Sequence, residues 1–262
     1  MKKIFNFWPE IQFYLKVAIC CVIIQYFFSW LLGNLTLNFM SQVLLYWAIG
    51  SLSFYSIGLV IEKGIKQKED LTERLTIRKI KVKEQPFPPF TIKGIVLGES
   101  KTLIAVLTIL CIAPEVHREG DIFLNFGWFL MRIIVADFCF YVAHWLFHNR
   151  KTLIKFHLKH HEFSDTSSFV AGHKSLVEYI VVTITDLLPL FIFGYDITQL
   201  LAWTLIGNAY NLEGHSSLSI FFISSDFHDV HHTRFKGNYG IGGFWDRIFN
   251  TLTPTQTTAL KP

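Results

Sequence analysis

Histidine is concentrated in one part of this sequence, at spacings that suit metal binding. Ten of the 11 histidines fall between residues 144 and 232. Three short motifs, "HWLFH", "HLKHH" and "HDVHH", place histidines at i and i+4 or at i, i+3 and i+4, which brings rings to neighbouring positions on a helix. Each motif therefore offers two or three imidazole nitrogens to one point. Their eight histidines are His144, His148, His157, His160, His161, His228, His231 and His232.

These motifs predict a metal site. One histidine pair at i and i+4 is common on solvated helix faces, but imidazoles clustered without a metal repel one another once protonated and need partners when buried. A catalytic zinc is satisfied by three histidines and an open position. Eight or more ligands suit two ions, with positions left for oxygen or substrate. A nitrogen-rich shell without thiolates suits iron, zinc or copper, and ligand type alone leaves those alternatives open.

The rest of the chain predicts a membrane setting for these motifs. It is 51% hydrophobic with a mean hydropathy of +0.37, which is too apolar for a soluble domain of 262 residues. Four segments are long enough to cross a bilayer, which takes about 20 residues of helix. They are 13–32, 37–61, 95–113 and 122–148.

A fifth apolar stretch, 179–207, is interrupted by Pro189 and by "GYD". These interruptions predict two shorter helices that form a re-entrant hairpin. The predicted fold class is therefore an all-α polytopic membrane protein with about four transmembrane helices, a re-entrant helical hairpin and a histidine-rich metal-binding cap on the cytosolic face.

Lysine and arginine residues indicate how the chain is oriented in the membrane, because they are enriched in cytoplasmic loops. Residues 62–101 contain ten of them, whereas "GNLT" at 33–36 contains none. We expect 1–121 to hold N-terminal transmembrane helices and a basic cytosolic connector, with the catalytic part at 122–262. Four crossings return the chain to the cytoplasm at residue 148, where the histidine motifs begin. This topology accounts for the net charge of +4 without a nucleic acid partner.

Four motifs in order carry a resemblance to a known family. They are "DFCFYVAHWLFH", "HLKHHEFSDTSSFVAGHKSLVEY", "NLEGHSSL" and "HDVHHTRFKGNYGIGGFWDRIF". From about residue 125 to 250 the chain resembles the fatty acid hydroxylase and sterol desaturase superfamily of membrane di-iron oxygenases. The resemblance implies a metal-ligand set that adds one histidine to the eight above: His144, His148, His157, His160, His161, His215, His228, His231 and His232.

Five further residues are candidates for direct ligation or for contacts behind the ligands. Asn211 stands where some relatives carry a histidine. His173 stands where many sterol-acting relatives have His-Pro, but here Lys174 replaces the proline, which weakens a sterol assignment. Asp137, Glu178 and Asp229 are expected to accept hydrogen bonds from ligating imidazoles, because such rings usually donate their other N–H to a carboxylate or carbonyl.

The resemblance implies two iron ions, with zinc as the alternative in purified protein, and an O2-dependent hydroxylation or desaturation of a lipid taken from the bilayer. The chain shows no haem, flavin or dinucleotide motif, so electrons are expected from a separate donor of cytochrome b5 or ferredoxin type with its reductase. The expected location is the endoplasmic reticulum membrane in a eukaryote or the inner membrane in a bacterium. Two alternatives stay open: a zinc-dependent membrane hydrolase acting on a lipid, and a metal transporter.

Overall fold

A computed structural model describes residues 7–33, 35–67, 92–116, 121–162, 167–216, 220–223 and 225–253. Over these ranges the regular structure is helical, apart from one isolated β-bridge between Glu115 and Tyr195. The α-helices are α1 Trp8–Leu32, α2 Phe39–Gln67, α3 Ile92–Ile112, α4 Ile122–Asn149, α5 Ile154–His157, α6 Leu176–Phe193, α7 Ile197–Gly214, α8 Ser225–Arg234 and α9 Phe244–Ile248. Two 3₁₀ turns, His160–Glu162 and Ser168–Gly172, lie between α5 and α6.

Five of these helices, α1 to α4 and α6, are long and apolar enough to cross a membrane. Large apolar side chains such as Ile23, Leu52 and Phe123 are exposed on them. Such surfaces suit lipid, since monomeric soluble proteins rarely expose large apolar patches. The chain is a multi-pass integral membrane protein, and the predicted all-helical, polytopic fold is confirmed.

The prediction for 179–207 needs a correction. The break lies at "GYD" as expected, where Gly194 adopts a φ of 73° and ends α6. Pro189, however, lies inside α6 and does not break it. A proline removes one backbone hydrogen bond, and the packing of buried Leu187 and Leu190 on either side outweighs that loss. The re-entrant course of α6 and α7 stays a prediction, and most of the basic connector, 68–91, lies outside the described residues.

Small side chains let the central helices approach closely. α1 packs against α4 and α7, α2 packs against α7, and α4 packs along α6. Ala18, Cys21, Ala136 and Ala202 are fully buried in the shared core. Apolar helices gain little from leaving lipid, so close packing of small residues carries much of their association in a membrane. This packing fixes the ends of α4 and α7, which carry His144, His148 and His215.

Two buried glutamates hold the segments that connect the helices. Glu62 of α2 accepts hydrogen bonds from the Ser168 N–H at 2.7 Å and from the Ser167 hydroxyl at 3.0 Å, which anchors the second 3₁₀ turn. Glu213 of α7 accepts from the backbone N–H groups of residues 220–223. Glu213 thereby fixes the segment just before α8, the helix that carries the last three histidines.

Candidate metal centre

Nine histidines from five parts of the chain form two adjacent groups. The five-histidine cluster consists of His144, His148, His157, His161 and His231. The four-histidine cluster consists of His160, His215, His228 and His232. Within each cluster one nitrogen from every ring lies within 4.8 Å of the others. The two clusters touch, because the His161 and His232 ring centroids are 4.5 Å apart.

The prediction that each motif gathers its nitrogens at one point is wrong for the two three-histidine motifs. In "HLKHH" the i and i+4 residues join the five-histidine cluster, and His160 joins the other. In "HDVHH" the pattern is reversed, since His231 alone joins the five-histidine cluster. Consecutive residues on a helix lie about 100° apart around its axis, so positions i+3 and i+4 point to different places. Each motif therefore ties the two clusters together.

Spacing between the rings suits ligands of a common ion. In the five-histidine cluster the Nε2 atoms of His144 and His157 are 3.1 Å apart, and those of His157 and His161 are 3.0 Å apart. In the four-histidine cluster the Nε2 of His228 lies 3.0 Å from those of both His215 and His232. Histidine nitrogens bound to one ion at about 2.0–2.1 Å stand about 3 Å from their neighbours.

The hydrogen bonds of the outer ring nitrogens show that lone pairs face one another at these points. His144 Nδ1 donates to the Tyr239 carbonyl at 2.8 Å, and His157 Nδ1 donates to Glu178 at 2.9 Å. A neutral imidazole carries one proton, so the Nε2 atoms of both rings are bare. Their 3.1 Å contact is therefore not a hydrogen bond. A cation between the rings resolves this repulsion, and the residues fit a metal ion.

Two more observations support that fit. His215 and His231 donate from Nδ1 to the carbonyls of Asn211 and Gly237, each at 2.8 Å, which leaves their Nε2 atoms bare as well. His148 Nε2 is buried with no hydrogen-bond partner. A buried polar atom without a partner is costly, and metal coordination is the usual remedy for histidine.

Burial keeps the ligand histidines neutral. Desolvation lowers the pKa of His215 to about 3 and that of His231 to about 3. Desolvation and the neighbouring rings also lower the pKa of His157, His160, His161, His228 and His232. Only a neutral imidazole binds a metal, so all seven are in the binding form at neutral pH.

Of the residues expected behind the ligands, Glu178 makes the direct contact. It is buried at the start of α6, where the Ser175 side chain caps the helix, and it accepts from His157. Asp137 does not touch a ligand. It accepts hydrogen bonds from Tyr14 at 2.5 Å and from the Ile241 N–H at 2.6 Å. Asp137 thus holds the loop whose Tyr239 carbonyl orients His144.

The other three candidates lie at the edge of the site or outside it. His173 belongs to neither cluster and pairs with Glu162 at 3.0 Å. Asn211 uses its backbone carbonyl, not its side chain, to hold His215. Asp229 is half-buried on α8, and its carbonyl accepts from Thr233.

The loop after α8 contributes in a way that the sequence did not reveal. Its backbone at Phe235, Gly237 and Tyr239 binds the outer nitrogens of His148, His231 and His144. Gly237 and Asn238 adopt left-handed backbone conformations with φ of 81° and 54°. Carbonyl groups are present in every residue, so no side-chain pattern signals this role.

A pocket reaches both clusters between α4 and α6. Its cavity volume is small, about 20 Å³. Apolar side chains of the two helices form one part of its wall: Phe140, Ala143, Phe147 and Val182. The rest is formed by His144, His157, His160, His215 and His228 together with Lys174, Glu178 and Asn211. The apolar side chains and the histidines thus face the same cavity.

Comparison with known proteins agrees with this site. Residues 129–251 match the fatty acid hydroxylase family. Just under half of the chain is therefore similar to this family. The resemblance inferred from the four motifs is thereby confirmed, and all nine histidines of the two clusters lie within the matched residues.

Curated relatives that match this region come from vertebrates and from Dictyostelium discoideum. The chain is 26% identical over 143 residues to fatty acid hydroxylase domain-containing protein 2 of Homo sapiens, a match that covers 51% of this chain and 42% of the relative. It is 27% identical over 128 residues to methylsterol monooxygenase 1 of Gallus gallus, covering 45% of this chain and 43% of the relative. Each match thus spans less than half the length of the relative. No solved structure matches the chain.

The contact between Glu178 and His157 leads to a prediction. Replacing Glu178 with alanine removes the acceptor that fixes the ring and its proton, and loss of such a partner typically costs 10–100-fold in metal affinity or activity. We expect about that loss of affinity at the five-histidine cluster, measured as metal per chain after equilibration with a buffered chelator. Glu162→Ala is the matched control, because Glu162 pairs with His173 outside the clusters. Wild-type metal affinity in Glu178→Ala would contradict the assigned role.

Proposed function

We propose that this chain is a non-haem di-iron membrane oxygenase that hydroxylates or desaturates a lipid, using O2 and electrons from a separate donor. One observation carries the proposal: bare imidazole nitrogens converge in two touching clusters inside the region that is similar to the fatty acid hydroxylase family. The clusters consist of imidazole ligands, which suit iron as well as zinc and copper, and the similarity to the fatty acid hydroxylase family favours iron among them. When bound, two iron ions would supply the redox chemistry with O2 that attacks an unactivated C–H bond.

The protein's own residues bind and orient the substrate. Phe140, Ala143, Phe147 and Val182 form an apolar wall that receives a lipid chain and excludes water from the reacting carbon. The four-histidine cluster has one ligand fewer than its neighbour, and three of its members line the pocket. We therefore assign the substrate-facing position to that cluster.

Outer contacts keep the ligand rings in place during turnover. The carbonyls of Tyr239, Gly237 and Asn211 and the carboxylate of Glu178 each hold one ring N–H. Because these acceptors fix the tautomers, each ring keeps its Nε2 toward the metal.

The surroundings of the clusters fit an external electron donor. Six cations are exposed in the segments next to the ligands: Arg150, Lys151, Lys155, Lys159, Arg234 and Lys236. Such a surface favours the cytoplasmic side of a membrane and an acidic partner. We propose that a cytochrome b5 or ferredoxin type donor docks there, with the clusters facing the cytoplasm in an endoplasmic reticulum or bacterial inner membrane.

Labelled oxygen provides the test. The wild-type chain and a His231→Ala, His232→Ala variant are expressed with an active donor system under ¹⁸O2, and the lipid extracts are compared by mass spectrometry. His173→Ala is the control, since it removes a histidine outside both clusters. A lipid that gains one labelled oxygen only with wild type and control identifies a hydroxylase. A loss of two hydrogens without label identifies a desaturase.

Identical extracts from all three chains would contradict the proposal and favour the zinc-dependent hydrolase. Metal analysis of the purified protein separates the same two functions, because the oxygenase requires iron.

A further inference from the structure

The α8–α9 loop, residues 235–243, supports the rings of one cluster. Its backbone binds the outer nitrogens of three ligands, and all three belong to the five-histidine cluster: His144, His148 and His231. In the four-histidine cluster the outer nitrogen of His215 binds a carbonyl of α7 instead. Among the described residues, no hydrogen bond joins the loop to a ring of that cluster. The position of the loop therefore sets ring orientation in the five-histidine cluster.

Two buried carboxylates hold this loop by its backbone. Asp246 of α9 accepts from the N–H groups of residues 239 and 240, each at 2.7 Å. Asp137 of α4 accepts from the Ile241 N–H at 2.6 Å. Both carboxylates are 0% exposed, so each depends on its hydrogen-bond donors to offset the cost of burial.

A tyrosine of α1 completes the hydrogen bonds of Asp137. The Tyr14 hydroxyl donates to Oδ2 at 2.5 Å, while the Ile241 N–H occupies Oδ1. Hydrogen bonds from a hydroxyl to a carboxylate at this length are strong, and a buried carboxylate that loses one is left partly unsatisfied. Helix α1, Trp8–Leu32, lies outside the residues that match the family, 129–251. A residue from outside the matched region thus supports the loop that orients the ligands.

Helix α1 contacts the same part of the chain at two further points. Glu10 accepts from Arg247 Nε of α9 at 2.8 Å. The Phe13 ring lies so close to Gly242 that a Cβ atom on this glycine would be 2.3 Å from it. Contacts one turn apart along α1 therefore fix this helix against both the loop and α9.

We propose that Tyr14 is a positioning residue for the five-histidine cluster. Its hydroxyl fixes the Asp137 carboxylate, and Asp137 fixes the loop at residue 241. Two residues earlier, the Tyr239 carbonyl accepts from His144 Nδ1 at 2.8 Å and turns the Nε2 of that ring toward the cluster. The assignment rests on the proposed function in one respect, that the clusters hold metal ions.

A general packing role for α1 would have a different consequence. α1 packs against both α4 and α7. α4 carries His144 and His148 of the five-histidine cluster, and α7 leads into His215 of the other. Loosened packing would therefore disturb both clusters, whereas loss of the hydrogen bond from Tyr14 should disturb one.

Co²⁺ binding to the metal-free protein in lipid nanodiscs, measured against a competing chelator, tests the proposal. In the His228→Ala, His232→Ala background only the five-histidine cluster keeps enough ligands for tight binding. There Tyr14→Phe should weaken Co²⁺ binding about 10–100-fold, the loss typical when the outer contact of a ligand is removed. The visible spectrum of the bound Co²⁺ should change as well, because it reports the geometry of the ligands.

The reverse background separates positioning from packing. Replacing His144, His148 and His231 with alanine leaves two histidines in the five-histidine cluster, so the four-histidine cluster becomes the tight site. In this background Tyr14→Phe should change neither the Co²⁺ affinity nor the spectrum. Equal weakening in both backgrounds would overturn the proposal and assign α1 a packing role.

A second variant approaches the same contact from the loop. Gly242→Ala forces the loop away from Phe13 and should also weaken the five-histidine cluster. Its matched control is Gly127→Ala on α4, where an added Cβ meets nothing within 4 Å. Tyr210→Phe is the control for Tyr14→Phe. Tyr210 is buried in the same core, and within the described residues it makes no hydrogen bond to the loop.

A double-variant cycle shows whether Tyr14 acts through Asp137. Asp137→Asn removes the charge that strengthens both hydrogen bonds and should weaken the same cluster. If one contact carries both effects, the combined variant loses less affinity than the two single losses multiplied together. Independent losses would overturn the proposal, as would wild-type Co²⁺ affinity in Tyr14→Phe.

O2-dependent lipid oxidation is measured on iron-loaded samples that keep all nine histidines. Oxidation by the wild type, with Co²⁺ affinity that ignores Tyr14, would refute the positioning role and leave the proposed function standing. Affinity that depends on Tyr14 in a chain that oxidises no lipid would support the positioning role and refute the proposed function.

Discussion

Replacing His228 and His232 with alanine is expected to lower the bound metal from two ions per chain to one and to abolish lipid oxidation. These residues supply two of the four nitrogens of the four-histidine cluster, and the remaining pair, His160 and His215, is too few for tight binding. The loss of metal affinity should exceed the 10–100-fold loss that is typical when a hydrogen-bond partner of a ligand is removed. Elemental analysis of the purified variant and the ¹⁸O2 assay measure both effects.

Helix α8 offers an internal control for this variant. His231 lies between the two replaced residues but belongs to the five-histidine cluster, so that cluster should keep its ion. His173→Ala should retain two ions and full activity. A double variant that still binds two ions would show that the clusters are not separate sites. A one-ion variant that still oxidises lipid would show that the second ion is dispensable.

The long helices were predictable because membrane segments carry a strong signal. The predicted segment 122–148 and α4, Ile122–Asn149, coincide within one residue, since charges and polar residues bound the apolar run. Pro189 was misjudged because the sequence shows a missing backbone N–H but not the packing of Leu187 and Leu190 that keeps α6 intact. Local propensity is thus the weaker guide where tertiary contacts are dense.

Histidine spacing predicted a metal site, but it did not predict how the histidines of each motif divide between the two clusters. The sequence places His231 and His232 side by side, whereas the structure sends them to different clusters. The role of the loop carbonyls at Gly237 and Tyr239 could not be predicted from the sequence, because it depends on the direction in which the backbone points these groups.

Removal of the metal ions is expected to make stability depend steeply on pH. In the metal-free protein, burial lowers the pKa of His215 and His231 to about 3, whereas an unfolded histidine titrates near 6.5. Below pH 6.5 the unfolded chain binds more protons, so this stability is present above about pH 6.5 and is lost as the pH falls toward 3. Within that window each such histidine lowers the free energy of unfolding by about 1.4 kcal/mol for every unit by which the pH falls.

Within two pH units the summed loss from several buried histidines exceeds the net free energy of unfolding of a typical domain, about 5–15 kcal/mol. The chelator-treated protein should therefore unfold near pH 5, while the metal-loaded protein should resist until protons displace the ions. Tryptophan fluorescence during heating, from pH 5 to pH 8, measures both forms. The chelated His228→Ala, His232→Ala variant has two fewer buried imidazoles and should show a shallower dependence. A chelated wild-type protein equally stable at pH 5 and pH 8 would mean that these rings are not buried and neutral.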